Sequence, residues 1–148
     1  MTSQISLQAD HEQILERLRS LGPDSQRQWG KMRLPQALAH CHRPLQVALG
    51  KLQLKRGLIG FLFGRYAKKK FIVSDAPFGH NSPTDPRFLD PSASDLEQER
   101  GTLVELIQEF ARKGSKISAH PFFGPMDAKD WDRLMWKHLD HHLRQFGA

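Results

Sequence analysis

Apolar residues recur with the 3.6-residue period of a helix in four stretches of the chain, each bounded by helix start and stop signals. Ile14, Leu15, Leu18 and Leu21, ahead of Gly22-Pro23, predict a first helix from about Asp10 to Leu21, with Asp10 and Gln13 as a capping pair. Leu34, Leu38, Cys41, Leu45, Ala48, Leu49 and Leu52 predict a second from Pro35 to about Leu52. Leu96, Leu103, Val104, Ile107 and Phe110 predict a third from Asp95 to Lys113, opened by a Ser94–Glu97 capping box and ended by Gly114. A fourth runs from Asp127, its N-cap, to about Phe146. No segment alternates as a strand would. The connection from Gln53 to Ser92 divides in two: Leu58 to Lys70 reads as a short helix packing its apolar side on the others. Ala76 to Pro91, with Pro77, Pro83, Pro86 and Pro91, reads as an ordered loop over one mouth of the assembly. The expectation is an all-α fold, a four-helix bundle with a long crossover between its second and third helices, in one domain spanning 1–148.

Composition narrows the function classes. The chain has 148 residues, 39% hydrophobic and 26% charged, as in an ordinary globular domain, which excludes intrinsic disorder and collagen-like repetition. Cys41 is the single cysteine, so no intrachain disulfide forms, and a reducing, cytoplasmic setting is expected. The polar start, Met1 to Asp10, is unlike a secretory signal, and Leu58 to Phe63 is too short to span a bilayer. The formal charge is +6, with much of the excess between Lys51 and Lys70. This segment reads as a solvated basic face over a core helix; the alternative is an anionic-surface binder, in which Phe61, Phe63 and Tyr66 interleave with the cations to suit a membrane surface or nucleic acid, and of these nucleic acid is the unexpected partner.

The histidines change the picture most. On the wheel of the fourth helix, Trp131, Leu134, Met135, Leu139, Leu143 and Phe146 form the apolar arc, and His138 and His142 fall near its middle, one turn apart. His141 lies at the edge of that arc, while Arg133, Lys137, Asp140 and Arg144 face away. Two imidazoles side by side on a buried face need partners for their nitrogens, and a shared divalent ion supplies one for both. On the second helix the wheel selects His40 as the third ligand and puts His42 on the polar side. Pro44 removes the donor that would reach the carbonyl of His40. Gln145, one turn past His141, is placed to orient a ligand, and His80 and Asn81 on the proline-rich loop are placed to line a pocket. Cys41 reads as a buried small hydrophobe and His120 as part of a packing plug with Pro121-Phe122-Phe123.

These residues carry a resemblance. Trp29-Gly30-Lys31-Met32 with Gln36-Ala37-Leu38-Ala39-His40 resembles the second-helix signature of the DinB-like superfamily of bacterial proteins. The tail Lys137-His138-Leu139-Asp140-His141-His142-Leu143-Arg144-Gln145-Phe146-Gly147 resembles its last-helix signature, His-x-x-His-His-x-x-Gln. The closest branch ends in a similar tail and carries Pro-Phe-Phe-Gly, here Pro121 to Gly124. The resemblance implies an up-down-down-up bundle with a divalent metal on three histidines, which fall here on His40, His138 and His142. It also implies a low-molecular-weight thiol, such as bacillithiol or mycothiol, as a further cofactor.

The expected function is therefore that of a metal-dependent enzyme. Its ion, zinc, nickel or iron, activates a thiol or water for S-transfer, isomerisation or hydrolysis of a small molecule. His141 is the candidate for proton transfer. The competing reading is a non-catalytic metal-binding bundle that acts as a binding module, and a homodimer is compatible with either.

Overall fold

The computed structural model describes residues 4–148. Its helices are α1 (Leu7–Ser20), α2 (Leu34–Ala48), α3 (Leu58–Lys68), α4 (Leu96–Lys113) and α5 (Ala128–Gln145). A π-helical segment, Lys69–Val73, continues α3, and a single 3-10 turn spans Pro86–Phe88. No strand is expected from the residue pattern, yet Ala119–His120 (β1) and Gly124–Pro125 (β2) pair antiparallel, Ala119 with Pro125 and His120 with Gly124. The pairing is too short to leave a periodic trace.

The helix ends correct three expectations. Ser6 caps α1 in place of Asp10: its Oγ accepts from the Ala9 N–H at 3.1 Å and donates to Asp132 of α5 at 2.5 Å. A cap that also bonds a distant helix outcompetes one with only local partners. Asp95, one residue after the expected Ser94, caps α4 by accepting from the Gln98 N–H. Helix α2 stops at Ala48, because Gly50 turns the chain with φ +73° before Leu52. Asp127 caps α5 as expected, accepting from the Asp130 N–H while the Asp130 carboxylate accepts from the Asp127 N–H.

Helices α1 and α2 each pack on both α4 and α5, so these four helices close around one core. Ile14, Leu15 and Leu18 of α1, Leu45 of α2, Leu103, Ile107 and Phe110 of α4, and Trp131 and Met135 of α5 are almost wholly buried in it. Helix α5 is covered on more than its apolar arc. Lys137 and Asp140, expected to face solvent, are buried. The Lys137 ammonium donates to the carbonyls of Phe71 and Ser74 at 2.6 and 2.7 Å, and Arg133 donates to those of Ile72 and Val73. The four carbonyls belong to the π-helical segment and its end, where the change of helical pitch leaves acceptors free.

Helix α3 forms where the sequence predicted it but packs the opposite way. Its buried positions are Gly60, Gly64 and Ala67. A Cβ on Gly60 would lie 2.7 Å from the Phe122 carbonyl oxygen and 2.8 Å from its Cα, and one on Gly64 would strike the same oxygen. The helix thus rests backbone-close on the Phe122–Phe123 turn, and its large side chains, among them Leu58, Phe61 and Leu62, point to solvent. The expectation that its apolar side packs on the bundle is overturned. Close approach requires small residues at the contact, and a pattern that ranks residues by hydrophobicity misses this.

Candidate metal centre

The adjacency of α2 and α5 brings His40, His138 and His142 together. Each offers a ring nitrogen, and the three nitrogens lie within 4.8 Å of one another. His40 and His142 are buried and His138 is half-buried. The rings meet edge to face, with centroids 4.7 Å apart for His40 and His138 and 4.8 Å for each of the other two pairs. Nε2 of His40 and Nε2 of His138 face each other at 2.9 Å.

The outer nitrogens decide what the inner ones can do. His40 Nδ1 donates to the carbonyl oxygen of Phe88 at 2.9 Å, so its proton sits on Nδ1 and Nε2 carries the lone pair. His142 Nδ1 donates to Gln145 Oε1 at 2.8 Å, which leaves its Nε2 free in the same way. Gln145 is itself fixed, because its Nε2 donates to the Trp29 carbonyl at 3.0 Å. That carbonyl is presented by the turn at Gly30, whose φ is +80° and where a Cβ would fall 2.7 Å from Gln145 Nε2. Glycine satisfies both demands at once. This is the arrangement in which metal-binding imidazoles are held in one tautomer by carbonyl partners on the far nitrogen.

Burial keeps the rings neutral. It is the main cause that lowers His40, opposed in part by the bond to Phe88. Burial, then the neighbouring His40 and His142, holds His138 well below the ordinary histidine value. His142 is pushed down to about 3, first by burial and then by His40. Neutral imidazole is the ligating form, and a cluster of three neutral rings, two of them with fixed tautomers, fits a divalent cation.

His141 stands beside this cluster, its ring 4.9 Å from that of His142. Burial and then His80 lower its pKa. Aromatic groups surround it: Trp29 at 5.3 Å and Phe78 at 5.7 Å between centroids. His80 is exposed and stacks flat on Trp29 at 3.6 Å, with its centroid 6.3 Å from His141. Asn81 is exposed, has φ 60° and lies beside the Gly30 turn. The proline-rich loop thus supplies Phe78, His80 and the Phe88 carbonyl to this end of α5. Trp29 and Phe78 were not singled out as site residues from the sequence, since isolated aromatics in loops carry no periodic signal.

Other candidates stand apart. His42 is buried against α4, not on a polar side: its Nε2 donates to the Glu99 carbonyl at 2.8 Å, and its Nδ1 lies 3.5 Å from the Glu99 carboxylate. The wheel placed it wrongly because Glu99 brings a polar partner into the α2–α4 contact. Burial pushes the Cys41 thiol up, so it stays protonated and packs as a small apolar group. His120 is buried under the Phe122–Phe123 turn, where Nδ1 accepts from both backbone N–H groups at 2.9 and 3.2 Å.

No curated protein and no solved structure matches the chain. Over residues 1–148 it matches a family described as "Protein of unknown function (DUF1569)", and it belongs to that family.

Proposed function

We propose that this protein binds one divalent metal ion through Nε2 of His40, His138 and His142 and uses it in chemistry on a small molecule. The observation that carries the reading is the trio of ring nitrogens within 4.8 Å, two of them with their far nitrogens held by Phe88 and Gln145. The tail motif and helix order support kinship with the DinB-like superfamily and its up-down-down-up topology, within one domain. A bound ion supplies a Lewis-acidic centre that lowers the pKa of a water or thiol at neutral pH. Three protein ligands leave room for such a group, and Cys41, protonated in the core, does not close the site as a fourth.

The chain's own residues have separable roles. The Phe88 carbonyl and Gln145 fix the tautomers of His40 and His142, and Trp29 fixes Gln145. His141, beside His142 and with its pKa lowered below 6.5 by burial and then by His80, would take the proton that such a water or thiol gives up. Trp29, Phe78 and His80 shield that end of the site and present flat apolar surfaces to a substrate or to a low-molecular-weight thiol.

Cobalt-loaded protein provides the test. A low-molecular-weight thiol should add a thiolate-to-cobalt charge-transfer band, absent in His138→Ala, and should raise the melting temperature only of metal-loaded protein. Cobalt uptake without a thiol-dependent band would restrict the reading to water activation. No uptake of any divalent ion would end it.

A further inference from the structure

The surface of α3 is the feature that the metal centre does not absorb. Leu58, Ile59, Phe61, Leu62, Phe63 and Tyr66 are each between 59% and 74% exposed on one short helix. Isolated exposed apolar residues are ordinary, but six large ones on eleven residues form a contiguous patch. The helix stands on Gly60, Gly64 and Ala67, so these six side chains project from the body of the protein.

The charge around the patch says what covers it. From Lys51 to Ser74 there are seven Lys and Arg and no Asp or Glu. Some are committed inside the molecule: Lys51 pairs with Glu109, and Lys68 with Asp130. Arg65, Lys69 and Lys70 are exposed and form no ion pair among the described residues. On the helical wheel Arg65 and Lys69 fall within the outward arc, between Phe61 and Leu62. Large apolar side chains thus alternate with free cations on the same outward surface.

We propose that α3 docks the protein on an anionic lipid bilayer, its apolar side chains entering the headgroup–acyl boundary and Arg65, Lys69 and Lys70 meeting lipid phosphates. The composition is that of an interfacial helix, with long basic stems reaching back to the headgroups. A second copy of the chain on this face would bring two all-basic surfaces together, which disfavours it. A nucleic acid uses the cations but leaves six large apolar groups without a partner. No helix among the described residues is long and apolar enough to cross a membrane, so the association is peripheral. The inference is independent of the metal reading.

The test is flotation of the full chain with vesicles of phosphatidylcholine mixed with phosphatidylglycerol, against vesicles of phosphatidylcholine alone. Binding is expected to the mixed vesicles and to weaken with added salt. Leu58→Ser with Leu62→Ser should weaken it more than about tenfold. Arg65→Gln with Lys69→Gln should weaken it about thirtyfold, from roughly 1 kcal/mol per base. Both pairs lie on exposed positions, and unchanged melting temperatures will show that the variants fold. Three results would overturn the proposal: no binding to the mixed vesicles, or equal binding to both kinds. The third is a concentration-dependent dimer, or salt-steep binding to duplex DNA, in place of vesicle binding.

Discussion

Helices α3 and α5 both carry a strong apolar arc in their sequences, yet they use it in opposite directions. In α5 the arc faces the core: Trp131, Met135 and Leu139 are buried, and His138 and His142 ride inward with them. In α3 the small residues face the body and the large ones face solvent. An apolar arc says that a surface wants to leave water. It does not say which neighbour takes it. In α5 that neighbour is the rest of the bundle, which is why histidines on the arc demand a partner such as a metal. In α3 no neighbour among the described residues takes it, and the backbone contact is made by glycine.

The contrast can be broken by substitution. The largest effect is expected in α5: Trp131→Ala should destabilise the fold by about 3–5 kcal/mol, measured by urea unfolding. Next comes the contact beneath α3. Gly64→Val puts a branched side chain against the Phe122 carbonyl and should cost about 1–3 kcal/mol, with faster amide exchange confined to α3 and the turn. A neutral result there would mean that α3 does not rest on the turn. His42→Ala should cost about 1–3 kcal/mol, because the part-buried Glu99 contact loses its partner, while metal content stays unchanged.

Acid should distinguish the two regions as well. Burial holds His120 and His142 at about 3 and lowers His40, His42 and His138 from 6.5, so the unfolded chain binds protons first as pH falls. The contribution is fully present above the unfolded value, about 6.5, and is lost as pH falls from there towards 3. Each such histidine steepens the decline by at most about 1.4 kcal/mol per pH unit. Metal affinity should likewise survive below the ordinary histidine value. Denaturant midpoints flat from pH 7 to about 4 would contradict this burial. The smallest effect is the outward face of α3, where Leu62→Ser should alter stability by no more than about 0.5 kcal/mol.

How far the sequence could be read follows from the same contrast. The four bundle helices were legible because their apolar arcs keep the helical period, even where a cap or an end was misplaced, and the meeting of His40, His138 and His142 was legible because they interrupt arcs that are otherwise apolar. The errors arose where a long-range partner overrides a local pattern. Ser6 outcompetes Asp10 through Asp132, a residue far along the chain. Lys137 is buried because the π-helical segment offers it carbonyls, and no local rule on α5 anticipates that. His42 is buried through Glu99. Helix α3 inverts because a backbone contact selects for glycine rather than for hydrophobicity.

The central claim is that three imidazoles on α2 and α5 hold one ion. Its most direct test is elemental analysis of protein purified without chelators, for the parent chain and for His40→Ala, His138→Ala, His142→Ala and His42→Ala. The account predicts one equivalent of a divalent metal in the parent chain and in His42→Ala, and a sharp loss in each of the other three. Full metal content in His138→Ala, or loss confined to His42→Ala, would contradict it.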